Sequence, residues 1–312
     1  MRQLAPLFVT LAVTAACTTS VAPASDASQT PVDRQKEWRI PSTESLIIRS
    51  AADQRDFEVT VAVPRGYSES SAKYPVLYVL DANYAFPIAV EAARILAIGP
   101  KDKPLGDLTE QPVIVGIGYP VGVYWNAIPA RLRDFTPTSD PAFVREVADA
   151  IGFSPEASGS GGAAEFLEFL AKEVIPAVES RYRVDDRRRA LFGHSLGGLF
   201  AVYTLFHQPE LFDGYVITSP ALYWDHEAAW KFEQAYAAGH KELRAHVLLT
   251  GASLDEPHTA MVRKLDDVFR SRKYAGLVWH TEVFAGETHS SVGALSLTRG
   301  IRWLYGDLAP KS

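Results

Sequence analysis

Ala190-Leu191-Phe192-Gly193-His194-Ser195-Leu196-Gly197-Gly198-Leu199-Phe200 is the stretch on which the reading of this chain turns. It carries the pattern G-x-S-x-G, and its setting gives that short pattern weight: an apolar run ends at Gly193, and a helix of large and small apolar residues is expected from Leu196 to Phe206. A strand that turns sharply into a helix lifts the Ser195 hydroxyl above a sheet, and flanking glycines remove the Cβ atoms that would crowd the turn. The same turn leaves the backbone N–H of Leu196 unpaired at a helix start, where it can receive the negative oxygen of a tetrahedral intermediate. Ser195 is therefore the candidate nucleophile.

Outward from this turn, short runs rich in β-branched residues recur at Val76–Leu80, Val113–Ile117, Ala190–Phe192, Tyr215–Thr218, Val247–Thr250 and Val278–Phe284. Phe57, Val59, Val61 and Val63 alternate with Glu58, Thr60 and Ala62, a strand pattern closed by a turn at Pro64–Gly66. Between the runs lie helical patterns. Phe166, Leu170, Val174 and Val178 recur every four residues, and Met261–Phe269 and Val292–Leu304 also read as helices. Strands alternating with helices predict an α/β fold with a mostly parallel central sheet covered by helices on both faces. Residues 119–164 fit this rhythm poorly, with Trp125, several prolines and a Gly/Ser-rich patch at 158–162. They are expected to form either a flap beside the active site or a plain surface excursion.

A serine hydroxyl needs a base, and histidine is the side chain best matched to that task. In α/β-hydrolases the order along the chain is nucleophile, acid, histidine. His289 fits, following the run that ends at Phe284 and preceding the last helix. His280 lies inside a strand pattern, and His258 stands on the wrong side of the preceding helix. The acid should follow Val247–Thr250, which leaves Asp255 and Glu256. Loop conformation decides between such neighbours; Asp255 is preferred, with Glu256 as the alternative. A histidine base must be neutral, so activity should rise through an apparent pKa near the unperturbed value of about 6.5.

The whole chain sets the bounds. It has 312 residues and a net charge of −6. One catalytic domain is expected from this length. Arg187, Arg188 and Arg189 are too short a basic run to suggest a nucleic-acid partner. Arg2 followed by the apolar stretch Leu4–Ala16 reads as a signal peptide over 1–17, and residues 18–37 read as a flexible tether ahead of a catalytic domain over 38–312. Cys17, the one cysteine, follows Thr14, Ala15 and Ala16 much as in a lipoprotein signal, with Thr14 departing from the usual aliphatic residue. Lipidation at Cys17 and ordinary cleavage near Ala22–Ala24 are both open, and either places the protein in the periplasm or lipid-anchored at the cell envelope. Contact with a membrane is expected only through that anchor. No Cys/His spacing of a zinc site is present, and neither metal nor organic cofactor is expected. Oligomeric state is not legible.

Several segments together resemble the putative-esterase family of α/β-hydrolases, which includes esterase D-like enzymes and bacterial ferric-siderophore esterases. They are Tyr78-Val79-Leu80-Asp81-Ala82-Asn83, Arg133-Asp134-Phe135-Thr136-Pro137-Thr138, the elbow Gly193–Gly198, Ser219–Asp225 and Gly286–Val292. The resemblance covers most of the chain after about residue 45. It implies that the N–H of Ala82, where the family usually has Gly, is the second oxyanion donor. It also implies that Arg131, Arg133, Trp125 and Trp224 lie near the substrate cleft, the two arginines suiting an anionic catecholate complex. The acid loop is the loosest match, since siderophore esterases of this group can work as a Ser–His pair. The expected activity is hydrolysis of carboxylic esters, ferric siderophores or small acyl esters, through an acyl-enzyme. An envelope acyltransferase and a non-catalytic binding lipoprotein on the same scaffold are the alternatives.

Overall fold

Most of the β-branched runs become strands because their side chains are buried on both faces of one sheet, while the run Val278–Phe284 forms a half-exposed edge. The computed structural model describes residues 39–98, 106–155 and 158–306. The expected signal peptide, the tether and Cys17 lie outside them. The strands are β1 (Thr43–Arg49), β2 (Asp56–Ala62), β3 (Tyr74–Val79), β4 (Val113–Gly118), β5 (Val184–His194), β6 (Gly214–Thr218), β7 (Glu242–Ala252) and β8 (Ala275–Phe284). They form one sheet in the order β1-β2-β4-β3-β5-β6-β7-β8, parallel from β4 through β8 and antiparallel only at β1–β2 and β2–β4.

The helices are α1 (Ala82–Leu96), α2 (Tyr124–Asp134), α3 (Pro141–Ile151), α4 (Ala163–Phe169), α5 (Ile175–Arg181), α6 (Leu196–His207), the short α7 (Trp224–Glu227), α8 (Ala229–Gly239), α9 (Glu256–Arg272) and α10 (Val292–Tyr305). Alternation along each strand divides the core. Leu77, Val79, Phe192, Val216 and Leu248 face α1 and α10. Val76, Tyr78, Leu191, Ile217 and Leu249 face the opposite layer, which holds α4, α6 and α9. This is the predicted sheet covered on both sides. Among the described residues no helix is long and apolar enough to cross a membrane.

Three differences from the sequence reading have physical causes. β1 went unseen because it is an edge strand with much of its surface exposed, Ile47 included, so burial imposes no clean alternation. The four-residue repeat of Phe166, Leu170, Val174 and Val178 would drift about 40° per step around a regular helix. A π-helical turn at Leu170–Val174 separates α4 from α5 and winds less per residue, so all four side chains stay in the core. Among the described residues of 119–164 lie α2, α3 and the start of α4, with Ile128, Leu132 and Val144 in the core, so these parts are anchored by their own apolar residues.

Candidate active site

Ser195, Ala82, Asp255 and His289 each sit where a strand gives way to a loop or helix at the carboxyl edge of the parallel sheet, the edge at which open α/β sheets collect ligands. β5 ends at His194, and Ser195 adopts φ 61° and ψ −118° before α6 begins at Leu196. Such a conformation costs on the order of 1–3 kcal/mol in a non-glycine residue and persists only where its surroundings hold it. Here the Ser195 N–H donates to the Thr218 carbonyl (3.0 Å), and its carbonyl accepts from Leu199 (3.0 Å) and Ala221 (3.0 Å). A Cβ at Gly193 would lie 2.1 Å from the Gly197 carbonyl oxygen, and one at Gly198 would lie 2.9 Å from Pro220 Cα. Gly197 has room, with its nearest neighbour at 3.5 Å. The turn therefore requires glycine at 193 and 198 rather than at all three positions.

β3 and β5 are neighbours, so the turn after β3 lies beside the elbow. Asp81 takes a left-handed conformation (φ 56°) and α1 starts at Ala82. The nearest atom to a Cβ placed on Gly197 is Asp81 Oδ2, so the two helix starts adjoin. Among the described backbone hydrogen bonds, the N–H groups of Ala82 and Leu196 have no acceptor. Two adjacent helix N-termini with free amides form a ready receptor for developing negative charge.

The loops after β7 and β8 are laced together. Ser253 N–H donates to Phe284 O (3.0 Å), Leu254 N–H to Glu287 O (2.9 Å) and Gly286 N–H to Ser253 Oγ (2.8 Å). This lacing brings Asp255 and His289 together: His289 Nδ1 lies 2.8 Å from Asp255 Oδ2. A carboxylate only accepts, so this contact puts the proton on Nδ1 and leaves Nε2 free to take one. The His289 ring packs 4.7 Å from that of His194, the residue before the nucleophile. In this state His289 is bonded to Asp255 and not to Ser195 among the described hydrogen bonds; such a contact commonly tightens only when substrate binds. Glu256, the alternative acid, opens α9, is exposed and pairs with Arg263 at 2.6 Å.

Three residues to which the sequence reading gave no role are built into the site. His258 was set aside as lying on the wrong side of a helix, yet its Nδ1 is 2.8 Å from Asp255 Oδ1 and its ring lies 4.0 Å from that of His289. The Tyr223 hydroxyl reaches His258 Nε2 at 3.2 Å. Burial foremost, then the charge of His289, lowers the His258 pKa to about 4 against the opposing pull of Asp255. Burial and then Asp255 push Tyr223 up to about 12, so its hydroxyl stays a donor. His194 is buried, held well below the ordinary histidine range by burial and then by His289 and Arg131, and its Nδ1 meets Tyr84 Oη at 3.1 Å. The spacing Asp255-x-x-His258 at a helix start was the available signal for His258, because it places both side chains on one face.

The four residues that the resemblance places near the substrate cleft are engaged in different ways. Arg131 is buried and gives both arms of its guanidinium to Asp81 (2.7 and 2.9 Å), so its charge is spent inside the protein. Arg133 is taken up by Asp134 (2.9 Å), Asp53 (3.2 Å) and Glu165. Trp224 is a core residue, packed edge-on against Phe143 with its indole N–H on Thr138. Trp125 alone is exposed, and it joins the site through Tyr124 and Tyr84, whose rings meet at 4.8 Å.

The sheet order and the strand–turn–helix at Ser195 are those of an α/β-hydrolase. The family model described as "Putative esterase" matches residues 124–278. The chain is 31% identical over 272 residues to the ferri-bacillibactin esterase BesA of Bacillus subtilis, an alignment covering 85% of this chain and 90% of that protein. Among solved structures it resembles the BES protein of Bacillus cereus, with a TM-score of 0.75 and 27% identity, covering 89% of this chain and 99% of that one. An IroE-like serine hydrolase from Shewanella oneidensis aligns with a TM-score of 0.72 and 26% identity, covering 86% and 82%. The chain belongs to the putative-esterase family of α/β-hydrolases.

Proposed function

We propose that this protein is a serine esterase that opens the ester bonds of siderophores through an acyl-enzyme. The observation that carries the reading is the short contact between His289 Nδ1 and Asp255 Oδ2, which leaves Nε2 as acceptor beside the strained Ser195 turn. In the first half-reaction His289 Nε2 takes the Ser195 proton as Oγ attacks the ester carbonyl. The N–H groups of Leu196 and Ala82 hold the oxyanion, and His289 returns the proton to the departing alcohol. Water repeats the sequence on the acyl-serine and releases the acid. Asp255 keeps the imidazole in the working tautomer and stabilises its cation.

The siderophore substrate is supported by the likeness to the ferri-bacillibactin esterase. With Arg131 and Arg133 each held by carboxylates, neither supplies a free cation for a catecholate complex. Trp125, exposed and linked by aromatic contacts to Tyr84, is the better candidate to meet the substrate, through its ring face. A panel of p-nitrophenyl esters and of cyclic and linear siderophore esters, run on wild type and Ser195→Ala, tests the reading. Siderophore esters should turn over with the higher kcat/KM and Ser195→Ala should be inert; equal turnover by both proteins would remove it. Export, with lipid attachment at Cys17, is part of the proposal and rests on Arg2, the Leu4–Ala16 stretch and the residues before Cys17. Metabolic labelling with a fatty acid, lost in Cys17→Ala, checks it.

A further inference from the structure

Asp255 does not serve one imidazole. Its two carboxylate oxygens are divided between two, Oδ2 against His289 Nδ1 and Oδ1 against His258 Nδ1, each at 2.8 Å. Because the carboxylate has no proton to give, both imidazoles must donate from Nδ1, which leaves both Nε2 atoms as acceptors. The His258 Nε2 is met by the Tyr223 hydroxyl. One hydrogen-bonded network thus joins the segments after β6, β7 and β8: Tyr223 donates to His258, and His258 and His289 both donate to Asp255. We infer that His258 is a positioning residue of the hydrolytic site, fixing the Asp255 carboxylate so that its second oxygen stays aligned with His289 Nδ1. The inference rests on the esterase reading above and deepens it.

A carboxylate held by one donor can turn about its Cβ–Cγ bond and present either oxygen, or swing toward solvent. Held by two donors, it has one orientation. Among the described hydrogen bonds the Asp255 carboxylate has these two partners, and its backbone bonds, from its N–H to Ala252 O (3.0 Å) and from Thr259 N–H to its carbonyl (3.0 Å), leave the carboxyl free to turn. The charged and titratable groups facing His258 are Asp255 at the head of its own helix, His289 after β8, Tyr223 after β6 and, electrostatically, His194 at the end of β5. In that company a neutral His258 can be stacked on His289 without opposing the positive charge that His289 gains as it takes the serine proton. A charged His258 would compete for Asp255 and repel its neighbour.

The test uses the side-chain geometry of the two amides. Asn carries its N–H₂ near the position of histidine Nδ1, and Gln carries it near Nε2. His258→Asn should keep the donor to Asp255 Oδ1 and hold kcat within about threefold, while His258→Gln and His258→Phe should lower kcat by roughly ten- to a hundredfold, the usual value of a hydrogen bond to a charged group. KM should change little, because the residue acts through Asp255 and not on the substrate. A purely structural role would be insensitive to where the donor sits. Equal kcat in the Asn and Phe variants, or wild-type kcat in His258→Phe, overturns the inference. Ser195→Ala and His289→Ala run in the same series separate the two levels: if they are inactive while His258→Phe is unimpaired, this inference alone fails, and if they stay active, the esterase reading fails with it.

Discussion

Replacing Asp255 by Asn probes the site at the point where one group serves two. Asn offers a single acceptor oxygen and one N–H₂ group where two imidazole N–H groups now donate at 2.8 Å. One ring must therefore turn its unprotonated Nδ1 toward the amide. If that ring is His289, its Nε2 carries the proton and cannot accept one from Ser195. If it is His258, His289 keeps its tautomer but loses the anion that stabilises its cation. At about 4 Å between charge centres and an effective dielectric of roughly 20, that anion is worth about 4 kcal/mol, or on the order of a thousandfold in rate. The same exchange in a serine-protease triad costs roughly 10⁴-fold in kcat. Steady-state kinetics on a chromogenic ester should show kcat down by about 10³- to 10⁴-fold in Asp255→Asn, with KM little changed and the thermal midpoint within a few degrees of wild type. Retention of more than a tenth of wild-type kcat, with Ser195→Ala inert, would refute the reasoning and leave a Ser–His pair.

Gly193→Ala should destabilise the fold by about 3 kcal/mol, the upper end for overpacking, because its Cβ would meet the Gly197 carbonyl at 2.1 Å, whereas Gly197→Ala should leave the urea midpoint unchanged or raised. Arg131→Met should lose about 3–5 kcal/mol by leaving Asp81 buried and unpaired; unchanged stability with a raised KM would instead make Arg131 a substrate ligand. His258 binds a proton in the unfolded chain near pH 6.5 but in the folded protein only near pH 4, so its contribution is neutral at pH 7 and becomes unfavourable as pH falls between those values. That costs about 2.5 kcal/mol at pH 4.5. Urea titrations at pH 7.5 and 4.5 should show His258→Asn losing less stability between the two pH values than wild type does.

Much of this architecture was legible because burial on both faces writes itself into sequence as short β-branched runs, as at Val113–Ile117 and Tyr215–Thr218. α1 was not: Pro87 interrupts its pattern, and packing of Ala85, Phe86 and Ala89 against the sheet supplies what propensity lacks. Chain order pointed to His289 and narrowed the acid to Asp255 or Glu256, and the laced loops after β7 and β8 hold Asp255 in contact with His289. What sequence could not carry was pairing at a distance. Arg131 reads as a free cation until Asp81, fifty residues earlier, is found against it, and nothing in the sequence around Trp224 shows that Phe143 and Thr138 pack against its ring. His258 was passed over because helix position was weighed, while the direction of its side chain toward Asp255 was not.

Covalent trapping tests most directly whether the His289 imidazole activates the Ser195 hydroxyl. Wild-type protein treated with a fluorophosphonate at neutral pH should gain one adduct by intact mass, mapped to the peptide containing Ser195. Labelling should be absent in Ser195→Ala and slowed by orders of magnitude in His289→Ala. An unlabelled wild type, an adduct on another residue, or equal labelling rates in wild type and His289→Ala would contradict it.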